Sequence, residues 1–392
     1  MNARVIKISS PNLLEHFKHK YALNNKFDSK FNAIELTNVD FSMAAKIKSL
    51  FSEIGSAEVC DLNSENGSCS LLLPLSFSNL KAYQDVFSFS GLNHVFETLN
   101  NSITNYLMYD NTAYNFREKV FNFNRSYVMG ILNVTPDSFS DGGNYFDRNK
   151  AVAHALQMIN DGAEIIDVGG ESTRPGSESV SIDEELKRVL PVIEAIRKES
   201  AQIIISVDTT KAKVAEHALD LGADIINDIS GAAFDKDMLD VIKRFDAGLI
   251  LMHIKGNPKT MQNNPYYSDV VSEVYDFLFE RTNAAKLIGI NNIIVDPGIG
   301  FGKRVSDNFQ LIGRLEEFKS LGYPILIGIS KKSFLGKSLN LNIDERENAT
   351  IIAESISMNN GARIIRTHNV KKAAEAVNIF NYTNSFGQLV DA

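Results

Sequence analysis

Polar and charged side chains end several short apolar segments of this chain, and their types suit the binding of a flat heterocycle. Asp208 ends IIISVD, Asn227 ends ADIIN, Asp296 ends NIIVD, and Lys332 follows PILIGIS by two residues. A carboxylate can accept two hydrogen bonds from adjacent N–H groups, which both holds and orients a ring. A single aspartate at such a position more often caps a helix or fills a core. Four groups of this kind together favour a ligand site.

Cationic and hydrogen-bond-donating side chains after two of the segments predict a site for an anion. Lys331 and Lys332 lie in the run SKKS, and Arg366 and His368 lie in RTH. We predict that Arg366, His368 and nearby donors bind a phosphate-like group. Asn133 ends VMGILN and could share a magnesium ion with phosphate oxygens, because magnesium usually keeps several waters. No spacing of histidines and carboxylates indicates a zinc site.

Three loops rich in glycine and small polar residues follow these segments. They are LNVTPDSFSDGG, which contains Asn133, GGESTRPGSES at 169–179, and DPGIGFGK, which begins at Asp296. We interpret the second, with Arg174, as a mobile lid that clamps an anion; the alternative is a solvated loop with an incidental arginine. The glycines of the third let its backbone approach a ligand, but it lacks Walker A spacing. His253, at the end of GLILMH, is expected to be a packed, hydrogen-bonded residue.

A repeated phrase indicates which elements position these groups. The pattern Gly-Ala-x-Ile-Ile-polar occurs at 162–167, 222–227 and 361–366, each time after a stretch with helical periodicity. Glycine just after a helix supplies a left-handed cap, and a short apolar run after it is typical of a buried parallel strand. The pattern therefore places a polar group at the carboxyl end of each strand.

Five further segments, namely VMGILN, IIISVD, GLILMH, NIIVD and PILIGIS, bring the number of predicted strands to eight. Eight strands alternating with helices over roughly 250 residues predict a (β/α)8 TIM barrel, with a doubly wound open sheet as the alternative. The carboxyl ends of barrel strands carry the chemistry in this architecture. The polar strand ends are thus expected to meet at one rim.

The first part of the chain has a different pattern. ARVIKI, FNAIELTNV and CSLLLPL could be strands, and FSMAAKIKSLFSEI and GLNHVFETLNNSITNYL resemble helices. We predict a small α/β accessory domain at 1–122 and the catalytic barrel at 123–392.

Composition limits the class of protein. The 392 residues carry a formal charge of −8, which argues against nucleic-acid binding. Two cysteines without metal-like spacing indicate a reducing compartment. Neither a signal peptide nor a membrane-length apolar run is evident. We expect a cytoplasmic protein without membrane or nucleic-acid partners.

The motifs together resemble the dihydropteroate synthase family of the folate pathway. The matching stretches cover residues 128 to 370 in the family's order: LNVTPDSFSDGG, IDVGGESTRPGS, ISVDTTK, GADIINDISG, LMHIKGNPKTMQ, DPGIGFGK, GISKKSF and RTHNV. The resemblance implies a barrel enzyme that joins 7,8-dihydropterin-6-ylmethyl diphosphate to 4-aminobenzoate and releases diphosphate. It also implies Mg²⁺ as cofactor, a homodimer and sensitivity to sulfonamides.

The resemblance also assigns roles to residues of this chain. The pterin would be held by Asp208, Asn227, Asp296 and Lys332, the magnesium ion by Asn133, and the diphosphate by Arg366 and His368. The aminobenzoate site would be shaped by Thr173, Arg174, Pro175, Phe301 and Ser333, and closed by Phe139 and Asp141. Asp141, Arg174 and Lys332 would take part in catalysis, with Asp141 stabilising a pterin-methyl cation that the arylamine captures.

Departures from the family pattern are few. Lys331 replaces the usual arginine, so a point charge replaces a planar donor, and Thr367 and Asn369 replace valine and aspartate.

Two other functions remain open. A pterin-dependent methyltransferase would not need the STRPG or SKKS runs, and a non-catalytic paralogue would be expected to lose its mobile loops.

Overall fold

The structure is a computed structural model that describes residues 1–8, 10–21, 32–53, 60–63, 67–74, 83–135, 144–174 and 176–386. These residues form two compact units, Met1–Tyr109 with Glu317–Gly322, and Asp110–Glu316 with Tyr323–Ala392. None of the helices in the described ranges is long and apolar enough to cross a membrane.

The first unit contains a four-stranded antiparallel sheet in the order β1-β2-β4-β3. Its strands are β1 (Asn2–Lys7), β2 (Asn32–Asp40), β3 (Cys60–Asn63) and β4 (Ser68–Pro74), and its helices are α1 (Pro11–Tyr21), α2 (Phe41–Glu53), α3 (Gln84–Phe89) and α4 (Asn93–Leu107). Both faces of the sheet are buried, because one apolar cluster includes residues of α1 and another includes residues of α2 and α4. The predicted small α/β unit is confirmed.

The second unit contains a closed barrel of eight strands that pair in parallel from β7 to β14. The strands are β7 (Tyr127–Asn133), β8 (Ile165–Gly169), β9 (Ile204–Asp208), β10 (Ile225–Asp228), β11 (Gly248–Met252), β12 (Ile293–Asp296), β13 (Ile325–Ile327) and β14 (Ala362–Thr367). Pairing of Ile364 with Tyr127 joins β14 to β7 and closes the barrel. The predicted (β/α)8 architecture is confirmed.

Helices alternate with the barrel strands and surround them. They are α5 (Asn144–Asn160), α6 (Ile182–Glu199), α7 (Ala212–Asp220), α8 (Met238–Phe245), α9 (Val270–Leu287), α10 (Val305–Gly313), α11 (Ser333–Leu339), α12 (Glu347–Asn359) and α13 (Val370–Asn384). The three glycines of the repeated phrase, Gly162, Gly222 and Gly361, have φ of 108°, 95° and 112°. They end a helix in a conformation that side chains disfavour and turn the chain into a strand.

A short hairpin of β5 (Ala113–Phe116) and β6 (Lys119–Asn122) belongs to the barrel unit. Its aromatic residues Tyr114, Phe116 and Phe121 pack against residues near the amino ends of the barrel strands, such as Ile165 and Ile204. The barrel unit begins at Asp110 and so includes this hairpin. The carboxyl ends of the strands are left for the site.

Candidate active site

The predicted strand-end residues lie at the carboxyl rim of the barrel. Asp208 and Asp296 are the last residues of β9 and β12, and Asn227 is the second-last residue of β10. All three are buried. Asn227 pairs directly with Asp208 in the ladder between β9 and β10, so parallel register alone makes them neighbours.

Arg366 joins this group from β14. Its Nε is 2.6 Å from Oδ2 of Asp167, and its Nη2 is 2.7 Å from Oδ2 of Asp208. Such charge-assisted hydrogen bonds fix the plane of the guanidinium. The residue predicted to bind the diphosphate thus lies in contact with a residue predicted to bind the pterin.

Asp167, at β8, is a site residue that sequence reasoning missed. It is fully buried, and its Oδ2 also accepts a hydrogen bond of 3.1 Å from Nδ2 of Asn227. Its Oδ1 has no hydrogen-bond partner among the described residues. A signal existed, because Asp167 holds the same sixth position of the repeated phrase as Asn227 and Arg366. Asp167 holds two other site residues in place.

Burial changes the proton affinity of these groups. Burial raises the pKa of Asp208. The positive charge of Arg366 opposes this increase, and the negative charge of Asp167 adds to it. Burial also raises the pKa of Asp296, although a hydrogen bond from Gly298 opposes the change. Burial lowers the pKa of Lys332, and the neighbouring Asp296 opposes this. Perturbed acids and bases that converge in this way are typical of active sites.

The loop after β12 brings an aromatic ring to the rim. Oδ1 of Asp296 accepts a hydrogen bond of 2.7 Å from the backbone N–H of Gly298, which turns the loop back over the strand end. The ring of Phe301 then lies 4.0 Å from Nζ of Lys332. This cation–π contact places Lys332 between the loop and the carboxylates. Ser333 begins α11 and is exposed.

His368 lies beyond β14 beside the loop after β13. Its Nδ1 is 3.0 Å from Oγ of Ser330. His368 is exposed, yet partial loss of hydration and then the charges of Arg366 and Lys331 keep its pKa below the ordinary value of 6.5. The imidazole is therefore neutral near pH 7 and acts as a hydrogen-bond group rather than a cation.

The STRPG loop borders a pocket of about 300 Å³ at this end of the barrel. Thr173 and Asp208 both line it, and Arg174 is exposed. The backbone N–H of Gly176 donates to the carbonyl of Pro258 at 3.1 Å, so this loop is tied to the loop after β11. Pro175, Phe139 and Asp141 lie outside the described residues.

An ion cluster not predicted from the sequence lies along the same pocket. Lys211 pairs with both Glu171 and Glu185, and Glu185 is fully buried. The charge of Glu185 contributes to the raised pKa of Asp208. These residues have no common spacing in the chain, so no sequence pattern could have found them.

Asn133, at the end of β7, faces the same rim. A Cβ added at Gly169 would lie 3.7 Å from Oδ1 of Asn133 and 3.6 Å from Cβ of Asp208, so these side chains flank one glycine. In the parts of the chain that the structure describes, no cluster of three or more His, Cys, Asp or Glu could hold a metal. A metal here would have one amide oxygen from the protein, which suits magnesium held mainly by phosphate and water.

Comparisons with known proteins agree with this geometry. The family model described as "Pterin binding enzyme" matches residues 129–368. Dihydropteroate synthase from Synechocystis is 48% identical over 254 residues, 64% of this chain and 88% of that protein.

Solved structures match the same part of the chain. Yersinia pestis dihydropteroate synthase with a sulfonamide drug complex has a TM-score of 0.66 at 40% identity, covering 70% of this chain and 100% of that one. The Xanthomonas albilineans synthase with 4-aminobenzoic acid has a TM-score of 0.65 at 38% identity, covering 70% and 98%.

These matches confirm the resemblance seen in the motifs, and nothing in them favours a methyltransferase or a non-catalytic paralogue. The chain is an enzyme, a transferase of an alkyl group other than methyl. It belongs to the dihydropteroate synthase family of pterin binding enzymes.

Proposed function

We propose that this chain condenses 7,8-dihydropterin-6-ylmethyl diphosphate with 4-aminobenzoate, giving 7,8-dihydropteroate and diphosphate. One observation carries the proposal beyond family membership: side chains from four separate strands, Asp167, Asp208, Asn227 and Arg366, are hydrogen-bonded or paired at one rim. A buried, polar rim of this kind suits a flat ring rich in N–H donors and ring acceptors.

Asp208 and Asp296, with Asn227, bind the pterin ring in this proposal. Arg366 engages Oδ2 of Asp208 before substrate arrives. Ring N–H groups compete for that carboxylate, so pterin binding loosens one of the two contacts of Arg366 while Asp167 retains the other. The freed Nη2 can then donate to the diphosphate, with His368 as a neutral donor beside it.

The reaction breaks the bond between the methylene carbon and the diphosphate oxygen, and that oxygen keeps the electron pair. The arylamine nitrogen then bonds to the methylene carbon and loses a proton. Arg366 and Lys332 stabilise the developing negative charge on the leaving group, and Asp141 stabilises positive charge on the pterin-methyl group. No side-chain nucleophile is required.

Magnesium is the proposed cofactor, with Asn133 as its protein ligand. The neutral amide oxygen beside Asp208 fits an ion that is otherwise coordinated by diphosphate and water. Bound there, the ion would neutralise charge on the departing diphosphate.

We propose that 4-aminobenzoate lies against Phe301, in a subsite that Thr173, Arg174, Pro175 and Ser333 complete. Phe301 is 8% exposed and supports Lys332 on its ring face, so an aromatic acid placed there meets both a flat apolar surface and a cation. Phe139 and Asp141 would close this subsite. Water exclusion protects the cation from hydrolysis.

A direct assay tests the proposed function. Purified full-length chain is incubated with both substrates and Mg²⁺, and dihydropteroate and diphosphate are measured. Equal amounts of both products support the synthase. Pterin binding without turnover supports a non-catalytic paralogue, and methyl transfer to a corrinoid supports the methyltransferase. Arg366→Met serves as an inactive control.

We also propose a homodimer, as the family resemblance implies, and a cytoplasmic location, as cysteine usage and composition indicate. Light scattering should give twice the chain mass of 43.5 kDa. A monomer at micromolar concentration would contradict the dimer.

A further inference from the structure

The motif LMHIKGNPKTMQ begins in the last two residues of β11 and continues into the loop after it. It has no part in the chemistry proposed above, yet it packs directly against the loop that carries Asp296 and Phe301. His253 is buried at its start, and Lys303, at the end of the opposing loop, is 3% exposed. A buried lysine is costly unless it is well paired. The partners of Lys303 therefore indicate its role.

Lys303 makes three contacts through its three ammonium donors. Its Nζ is 3.0 Å from Nδ1 of His253, 3.3 Å from the carbonyl oxygen of His253 and 3.0 Å from the carbonyl oxygen of Phe301. When Lys303 is charged, Nδ1 of His253 must accept, so the imidazole is neutral with its proton on Nε2. The ring is held by edge-to-face packing on Phe277, 5.0 Å between centroids.

Three successive carbonyls of the loop accept hydrogen bonds from side chains. Gly300 O accepts from Nε2 of Gln262 at 2.8 Å, Phe301 O accepts from Lys303, and Gly302 O accepts from the hydroxyl of Tyr267 at 2.7 Å. Gln262 and Tyr267 both belong to the segment after β11. The backbone of the loop is thus held in place at each residue around Phe301.

The fit between the two segments is close enough to require glycine. Gly298 has a φ of +70°, and a Cβ there would lie 1.9 Å from the carbonyl oxygen of His253. Phe301 also packs in an apolar cluster with Ile254 and Met261 of the same segment. A shift of this segment would consequently move both ends of the loop.

We propose that Lys303, through His253, is a positioning residue for the condensation. It sets the distance between Asp296, which meets the pterin, and Phe301, which meets the aromatic amine. The inference rests on the proposed function. Lys303 bonds to Phe301 and to His253, whose backbone N–H donates to the carbonyl of Asp296 at 3.1 Å, so loss of Lys303 should weaken the binding of both substrates together.

The test compares Lys303→Met with the matched control Lys243→Met. Lys243 also donates to a carbonyl, that of Gly289 at 3.0 Å, but from the exposed surface of α8. We expect Lys303→Met to raise KM for both substrates about tenfold, which corresponds to a loss of about 1.4 kcal/mol of binding free energy for each. Lys243→Met should leave both KM values unchanged.

A purely structural role gives a different result. Loss of stability alone lowers the fraction of active enzyme, which lowers apparent kcat and leaves KM unchanged. Folded Lys303→Met with wild-type KM values overturns the inference. If wild-type enzyme yields no dihydropteroate, the proposed function itself fails.

A second variant covers the case in which Lys303→Met does not fold. Tyr267→Phe combined with Gln262→Leu removes two of the hydrogen bonds to the loop carbonyls and leaves Lys303 unchanged. Each lost hydrogen bond should raise KM for 4-aminobenzoate about threefold. Unchanged KM in this double variant also overturns the inference.

Discussion

Replacement of Asp167 by asparagine tests whether this buried carboxylate holds the rim together. Its Oδ2 accepts from Nε of Arg366 at 2.6 Å and from Nδ2 of Asn227 at 3.1 Å. Asparagine keeps the size and one acceptor oxygen, which can still receive both donors, but it loses the negative charge that strengthens both hydrogen bonds. A hydrogen bond to a charged group contributes about 1.5–3 kcal/mol, so we take a loss of about 2 kcal/mol.

That loss should appear in the transition state, because Arg366 is needed where charge develops on the leaving diphosphate. At about 1.4 kcal/mol for each factor of ten, kcat/KM for the pterin diphosphate should fall about 30-fold. Removal of the negative charge should also lower the pKa of Asp208, which the charge of Asp167 raises. The acid limb of the pH profile should therefore move to lower pH.

The assay is steady-state synthase kinetics from pH 5 to 9, with melting temperatures to verify folding. Asp161→Asn is the matched control, because Asp161 accepts from Gln157 at 3.0 Å on the exposed end of α5. It should have wild-type kinetics. A folded Asp167→Asn enzyme with unchanged kcat/KM and an unchanged acid limb would refute the argument.

Three further predictions rest on the structure and a fourth on the family resemblance. Asp208 must be ionised to bind the pterin, and burial raises its pKa. As pH is lowered, wild-type kcat/KM should therefore begin to fall at a pH well above 4, the ordinary pKa of aspartate being about 4. A flat profile down to pH 4 would contradict this. Burial raises the pKa of Glu354 to about 8, so the contribution of this group to stability is complete below its ordinary pKa of 4.5 and is lost as pH rises to about 8. Glu354→Gln should therefore flatten the dependence of melting temperature on pH over this range. An unchanged slope would disprove this. Gly298→Ala should prevent correct folding, because its Cβ would overlap the carbonyl oxygen of His253. Gly91 has a φ of +69° with no atom within 4 Å of an added Cβ, so Gly91→Ala should lower the free energy of unfolding, measured with denaturant, by only about 1–2 kcal/mol. Equal losses in the two variants would refute the steric argument. A sulfonamide should inhibit condensation in competition with 4-aminobenzoate, and indifference to millimolar drug would exclude this.

Much of the architecture could be predicted because it depends on local patterns. Short apolar runs after Gly162, Gly222 and Gly361 define strands, and helical periodicity defines what lies between them. Once eight such units are present, barrel closure brings the carboxyl ends of the strands together. Asp208, Asn227 and Asp296 could therefore be assigned to one rim without coordinates.

Three predicted residues, Pro175, Phe139 and Asp141, lie outside the described residues and stay predictions. The binding and catalytic roles of all the other predicted site residues, including those that the structure brings together at the rim, also stay predictions.

The sequence by itself determined the number of barrel units and the placement of polar residues at their ends, because both follow from spacing along the chain. Only the tertiary structure decided that Arg366 pairs with Asp167 and Asp208, and that Lys303 meets His253. These partners are far apart in sequence, and their contact depends on strand register, side-chain rotamers and burial. Those properties exist only when the barrel has closed and its interior excludes water.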